Sequence, residues 1–291
     1  METGNWGKRG KVFLKITFSF FLLYFVLSQI DTKKLYENLK EANLFWLFLA
    51  FLFFNFSKIV SSVRLNYYFK DIGIDLSEKT NLMLYYLGMF YNLFLPGGIG
   101  GDGYKIYLLR KKFQTPVIHL VNATLLDRVS GLVALLFLAS ILLFFSSYAK
   151  IYEPLKYICL FGAILIYPLF LMIHKIFFKR FLTYLKKTTL LGLIVQILQL
   201  ISAFFIILAL KKELPIIDFL ALFLISSVVA VLPLTIGGVG AREFTFLYGL
   251  KILGYEPSSG VAFSFLFFLI TLLSSAIGVI FVYKPIFLDE T

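Results

Sequence analysis

The chain has 291 residues, 60% of them hydrophobic and only 15% charged, with a mean hydropathy of +0.89. Soluble domains carry roughly 25% charged residues, so that class is excluded. The formal net charge of +12 sits in Lys and Arg beside apolar runs, a pattern that suits anionic lipid head groups and topology rather than nucleic acid.

In chain order, Lys8, Arg9, Lys11 and Lys15 precede an apolar run, Val12–Ile30. It lacks a small-x-small cleavage site and reads as a retained first span rather than a signal peptide. TKKLYENLKEANL follows, with Leu35, Leu39 and Ala42 on one face, and is expected to lie along the outer membrane surface. Apolar runs then recur at Leu44–Val63, Leu132–Phe145, Tyr157–Ile173, Leu190–Leu210 and Gly260–Tyr283. Such lengths approach the roughly 20 residues that cross a bilayer as a helix. KRFLTYLKK (Lys179 to Lys187) is expected on the inner surface. The single cysteine, Cys159, allows no intrachain disulfide, and His119 and His174 lack the partners of a structural metal site, so no cofactor is expected.

Two shorter segments, Asn81–Leu95 and Ile216–Leu232, each run into a proline and a cluster of glycines: LPGGIGGDGYK (Leu95 to Lys105) and LPLTIGGVGARE (Leu232 to Glu243). If both return to the side they came from, 17 of the 28 Lys and Arg residues are cytoplasmic and 9 external; if both cross, the tally is 12 against 14. The positive-inside rule selects the hairpins. The expected fold is an all-α polytopic membrane protein of the cytoplasmic membrane, with six full transmembrane spans, two re-entrant helical hairpins and both termini cytoplasmic. Each half then reads span, span, hairpin, span, giving one membrane domain (1–291) made of a first inverted repeat (1–147) and a second (148–291).

Pro96 and Pro233 end their helices. The glycines beyond them permit tight backbone and expose amide groups, which survive at membrane depth only inside protein or against a wet cavity. Helices restarting near Asp102 and Arg242 would aim their N-termini at that cavity, a setting that attracts phosphate. The expected lipid- or phosphate-binding set is therefore Gly97, Gly98, Gly100, Gly101, Asp102 and Lys105 in the first turn, Asp127 and Arg128 on the following span, and Gly237, Gly238, Gly240, Arg242 and Glu243 in the second. Close helix packing is the competing reason for the glycines. The match to G-x-G-x-x-G at Gly98–Gly103 is no dinucleotide fingerprint, because no strand precedes it. Two arrangements remain open for the adjacent charges: Arg128 on a lipid phosphate with Asp127 holding a hairpin, or Arg128 bridged structurally to Asp102. Glu243 suits a helix cap. Lys58 is placed near the cytoplasmic end of its span, where it can snorkel.

NLFLPGGIGGDGYKIYLLRKK, NATLLDRVSGL and LPLTIGGVGAREF, in that order, resemble the flippase-like transmembrane region of lysylphosphatidylglycerol synthases. The resemblance covers essentially the whole chain. It implies a lipid-handling membrane module that, in bifunctional relatives, moves an aminoacylated phospholipid between leaflets. The sequence ends at Thr291, just after the last span, so no synthase domain is expected. The function expected is a flippase- or scramblase-like transporter that binds an anionic head group, on a phospholipid or polyprenyl-linked lipid, between the two hairpins. No ATP-binding motif is present, leaving downhill or ion-coupled movement with Asp102, Asp127 and Glu243 as candidate proton carriers. The alternative is a non-transporting scaffold for a glycosyltransferase partner; a homo-oligomer is also compatible. Neither H-E-x-x-H nor G-x-S-x-G occurs, so an enzyme is not expected.

Overall fold

A computed structural model of the chain describes residues 17, 20–94, 100–210, 214–231, 235, 238–283 and 286. Every regular element among them is helical. Helical residues 20–28 lead into α1 (Thr32–Lys40), α2 (Leu44–Lys70), α3 (Glu78–Phe94), α4 (Gly100–Phe113), α5 (Val117–Phe145) and the short α6 (Ser147–Ile151). There follow α7 (Glu153–Phe177), a 3₁₀ turn at Lys179–Phe181, α8 (Leu185–Ala209), α9 (Ile216–Val231), α10 (Ala241–Ile252) and α11 (Ser258–Ala276), which tightens into a 3₁₀ turn at Ile277–Phe281.

Among the described residues, five helical segments are long and apolar enough to cross a membrane: α2, α5, α7, α8 and Ser258–Phe281. This is a membrane protein. The first expected span, Val12–Ile30, lies partly outside the described residues. Helices α3 and α9, of 17 and 16 residues, reach about 25 Å at ~1.5 Å per residue, short of the ~30 Å hydrocarbon core. The exposed face of α7, with Tyr157, Phe161, Ile164 and Ile176 outermost, is the kind of surface lipid covers.

Two surface-helix expectations are corrected. Asp31 caps α1 by accepting the Lys33 and Lys34 N–H groups at 3.0 and 3.2 Å. The face carrying Leu35, Leu39 and Ala42 then packs on the protein's own core, not on lipid. Asn38 is buried there and donates to Ser258 Oγ at 3.4 Å. An apolar stripe has the same period whichever apolar partner it meets. In KRFLTYLKK the chain makes one 3₁₀ turn, buries Phe181 against Tyr68 and enters α8 directly, so no surface helix forms.

The core has two large clusters and a small third one around Val26, Leu247 and Val261. One apolar cluster takes Ala50 and Phe54 of α2, Leu135 and Ala139 of α5, and residues of α8 to α11. The other takes Leu65, Tyr68 and Phe69 of α2, Leu120, Ala123 and Leu126 of α5, and residues of α3 and α4. Between them α2 carries Ser57, Lys58, Ser61, Ser62 and Arg64, and α5 carries Asp127, Arg128 and Ser130. The helices therefore run through a polar layer with apolar packing on either side. At the centre α2 packs along α8, with Ser202 Oγ donating to Ala50 O at 2.7 Å and Trp46 stacked on Phe205.

Candidate functional site: a charged layer at mid-depth

The first Gly-rich turn joins α3 to α4, and the two helices touch backbone to backbone. A Cβ on Gly101 would lie 1.9 Å from Gly88 O, so no larger residue fits. Asn92 Oδ1 accepts the Gly101 N–H at 2.8 Å, satisfying one of the amides left over at the start of α4. Asp102, in the first turn of α4, is buried and doubly neutralised. Its Oδ1 meets Lys105 Nζ at 2.7 Å and its Oδ2 meets Arg128 Nε at 2.5 Å. The lysine ammonium also lies 5.3 Å from the centre of the Tyr85 ring. Of the three side chains, Arg128 is the accessible one, 42% exposed.

Asp127 does not hold the hairpin. It turns to α2, where Arg64 Nε donates to its Oδ1 at 2.8 Å, with both groups buried. Gly131 of α5 and Gly192 of α8 flank the guanidinium: a Cβ on either would lie 3.4–3.5 Å from Arg64 Nη1, in ordinary van der Waals contact. That Nη1 is buried without a hydrogen-bond partner.

In the second turn, Gly238 and Gly240 have φ of +80° and +83°, backbone that L side chains rarely adopt. Glu243 caps α10, accepting the Gly240 N–H on Oε2 at 2.7 Å and the Ser264 hydroxyl on Oε1 at 2.8 Å. Its neighbour Arg242 has no carboxylate in ion-pair reach among the described residues. Instead Nη1 donates to Ser227 Oγ at 3.0 Å, and the guanidinium lies 5.0 Å from the centre of the Phe267 ring. Lys58 is a parallel case on α2. Its ammonium sits 4.3 Å from the Phe54 ring centre and forms no ion pair among the described residues. Phe54 and Phe267 meet edge to face at 5.5 Å.

The expected site residues thus form two groups. Asp102, Lys105 and Arg128 make one ion triad, which has the Arg128–Asp102 bridge. Gly238, Gly240, Arg242 and Glu243 build the other turn. Asp127 belongs with Arg64, and Gly100 and Gly101 start α4. Gly97, Gly98 and Gly237 lie outside the described residues. Lys58 was placed near a helix end because its span was stopped at Val63. Helix α2 runs on to Lys70, which puts Lys58 at its middle, close enough to Arg64, Arg242 and Asp127 for their charges to act on it. Arg64, the residue just after that stop, is likewise inside the helix and buried. The signal that finds both is the recurrence of Ser57, Ser61 and Arg64 at helical spacing, beside Lys58 and Ser62, in an otherwise apolar helix.

Residues 12–278 match the family described as the lysylphosphatidylglycerol synthase TM region. The chain belongs to that family of membrane proteins. It is similar to a UPF0104 membrane protein of Methanocaldococcus jannaschii, 31% identical over 210 residues that cover 64% of this chain and 89% of the relative. No solved structure matches it.

Proposed function

We propose that this protein is a flippase- or scramblase-like transporter that carries an anionic, phosphate-bearing lipid head group through its mid-depth polar layer while the hydrocarbon stays in the bilayer. The observation that carries this reading is charge imbalance. Among the described residues of this layer, Lys58, Arg64, Lys105, Arg128 and Arg242 face three acids, Asp102, Asp127 and Glu243, and the last is committed to a helix cap. Uncompensated cations at this depth are costly unless an anion or water meets them. Arg128, which reaches the first turn of α4 through Asp102, and Arg242, in the first turn of α10, are the phosphate contacts.

The inverted repeat belongs to the same proposal. Helices starting at Leu44, Glu78, Gly100 and Val117 recur in order as those starting at Leu185, Ile216, Ala241 and Ser258. Rocking of one such half against the other would expose the polar layer to each leaflet in turn. Vesicles containing the purified protein and fluorescent phosphatidylglycerol or polyprenyl phosphate provide the test. Reductant added outside should bleach the inner-leaflet dye faster than in protein-free vesicles, and the Arg128→Ala/Arg242→Ala variant should lose that gain. Equal rates for wild type and variant across these lipids would reject the proposal.

A further inference from the structure

An apolar groove of roughly 520 Å³ runs along the outside of the bundle between α2 and α11. That is within the range of small-molecule sites, roughly 300–1,000 Å³. Leu47, Phe48 and Phe51 form one wall and Leu266, Ile270 and Leu273 the other. Leu266 and Ile270 are buried at its floor, while Phe48 and Leu273 are exposed at its mouth. It faces hydrocarbon and carries almost no polar surface, so its occupant is a hydrocarbon chain.

Past the groove's inner end, behind two buried rings that do not line it, lie two cations. Phe54 lies one turn beyond Phe51, Phe267 lies between Leu266 and Ile270, and these two rings touch. On them rest two cations of the polar layer that have no carboxylate partner among the described residues, Lys58 and Arg242. Helical side chains lean toward the N-terminus, so Lys58 reaches back to the level of Phe54, close to the groove. Just past this point Asn55 donates to Ser274 Oγ at 3.0 Å and accepts from the Tyr86 hydroxyl at 2.8 Å, tying α2 to α11 and ending the groove.

We infer that Lys58 and Arg242 bind the phosphate of an anionic lipid whose acyl or prenyl chain lies in the α2–α11 groove, pointing toward the Leu44 end. This deepens the transport reading and rests on it for the biological role, but not for the binding. The arrangement has a direction. A head group held at mid-depth with its chain toward the Leu44 end has the orientation of a lipid that entered from the leaflet at the Lys70 end of α2. An ordinary boundary lipid in the same groove would point the other way, head group at Leu44 and chain end at Phe51.

Position-specific photolabelling separates the two. The probe is phosphatidylglycerol carrying a diazirine near the carbonyl or near the terminal methyl, in phosphatidylcholine nanodiscs, with labelled peptides mapped by mass spectrometry. The carbonyl-proximal probe should label Phe51 and Ile270, and the methyl-proximal probe Leu47 and Leu266. Lys58→Gln/Arg242→Gln removes two charge-assisted contacts, each worth about tenfold, and should lower labelling about a hundredfold, while Lys58→Arg should retain it. Reversed labelling, or equal labelling by the matching phosphatidylcholine probes, overturns the proposal without needing any variant. Leaflet exchange measured on the same preparations keeps the two claims apart: exchange with charge-blind labelling rejects this site alone, and ordered labelling without exchange rejects transport alone.

Discussion

Asp102 and Glu243 occupy equivalent places: each is the third residue of the helix that follows a glycine turn, and each reaches the next long helix. Asp102 ties α4 to Arg128 of α5, and Glu243 ties α10 to Ser264 of α11. One clasp is ionic and the other neutral, so their removal should not cost the same. Asp102→Asn removes the carboxylate that Lys105 and Arg128 share, a change worth about 3 kcal/mol, the low end for a buried pair because Arg128 is part exposed. Glu243→Gln keeps an acceptor for the Gly240 amide and should cost about 1–2 kcal/mol. Thermal unfolding in one detergent should rank them in that order; the reverse ranking would mean that Asp102 is not the centre of the first hairpin.

The Arg64–Asp127 pair should show the asymmetry of buried ion pairs. Arg64→Met or Asp127→Leu alone strands a charge, at about 3–5 kcal/mol, whereas the double variant should recover most of that loss. A double-mutant cycle on unfolding midpoints measures the coupling. Additive losses would show that the two side chains act independently.

Two glycines of α4 only two positions apart should behave very differently. Gly101→Ala drives a methyl group into Gly88 O and should abolish folded, monodisperse protein. Gly103→Ala meets nothing within 4 Å and should be neutral or up to about 1 kcal/mol stabilising, the usual gain in a helix interior. Size-exclusion profiles of the two variants decide the matter.

The hairpin reading of α3 and α4 predicts sidedness. Single cysteines at Lys79 and Lys112, in a Cys159→Ser background, should both react with an impermeant maleimide from the same side of sealed vesicles. Reaction from opposite sides would turn the pair into a crossing and add a span.

Much of the fold was legible because apolar runs of membrane-spanning length have few other uses. The two Gly-rich turns announced themselves in the same way, as backbone that hydrocarbon does not tolerate uncovered. The misreadings share a cause, which is that hydropathy treats a charge as an end. Arg64 stopped a span at Val63, although α2 carries the arginine inside, paid for by Asp127. That one truncation also moved Lys58 away from the middle of its helix. For α1 the period was right and the partner wrong, since Leu35 and Leu39 fit a protein groove as well as a lipid surface. What Asp127 pairs with depends on how α2 and α5 cross, and no local pattern encodes a crossing.

The polar layer between the two apolar clusters has a mechanical consequence. Lipid tails solvate leucine as well as another leucine does, so greasy contacts alone set little preference between helices slid past each other by one turn. Directional clips such as Arg64 on Asp127 and Asn81 on Ser62 supply that preference, acting as the teeth of a ratchet between otherwise smooth rods.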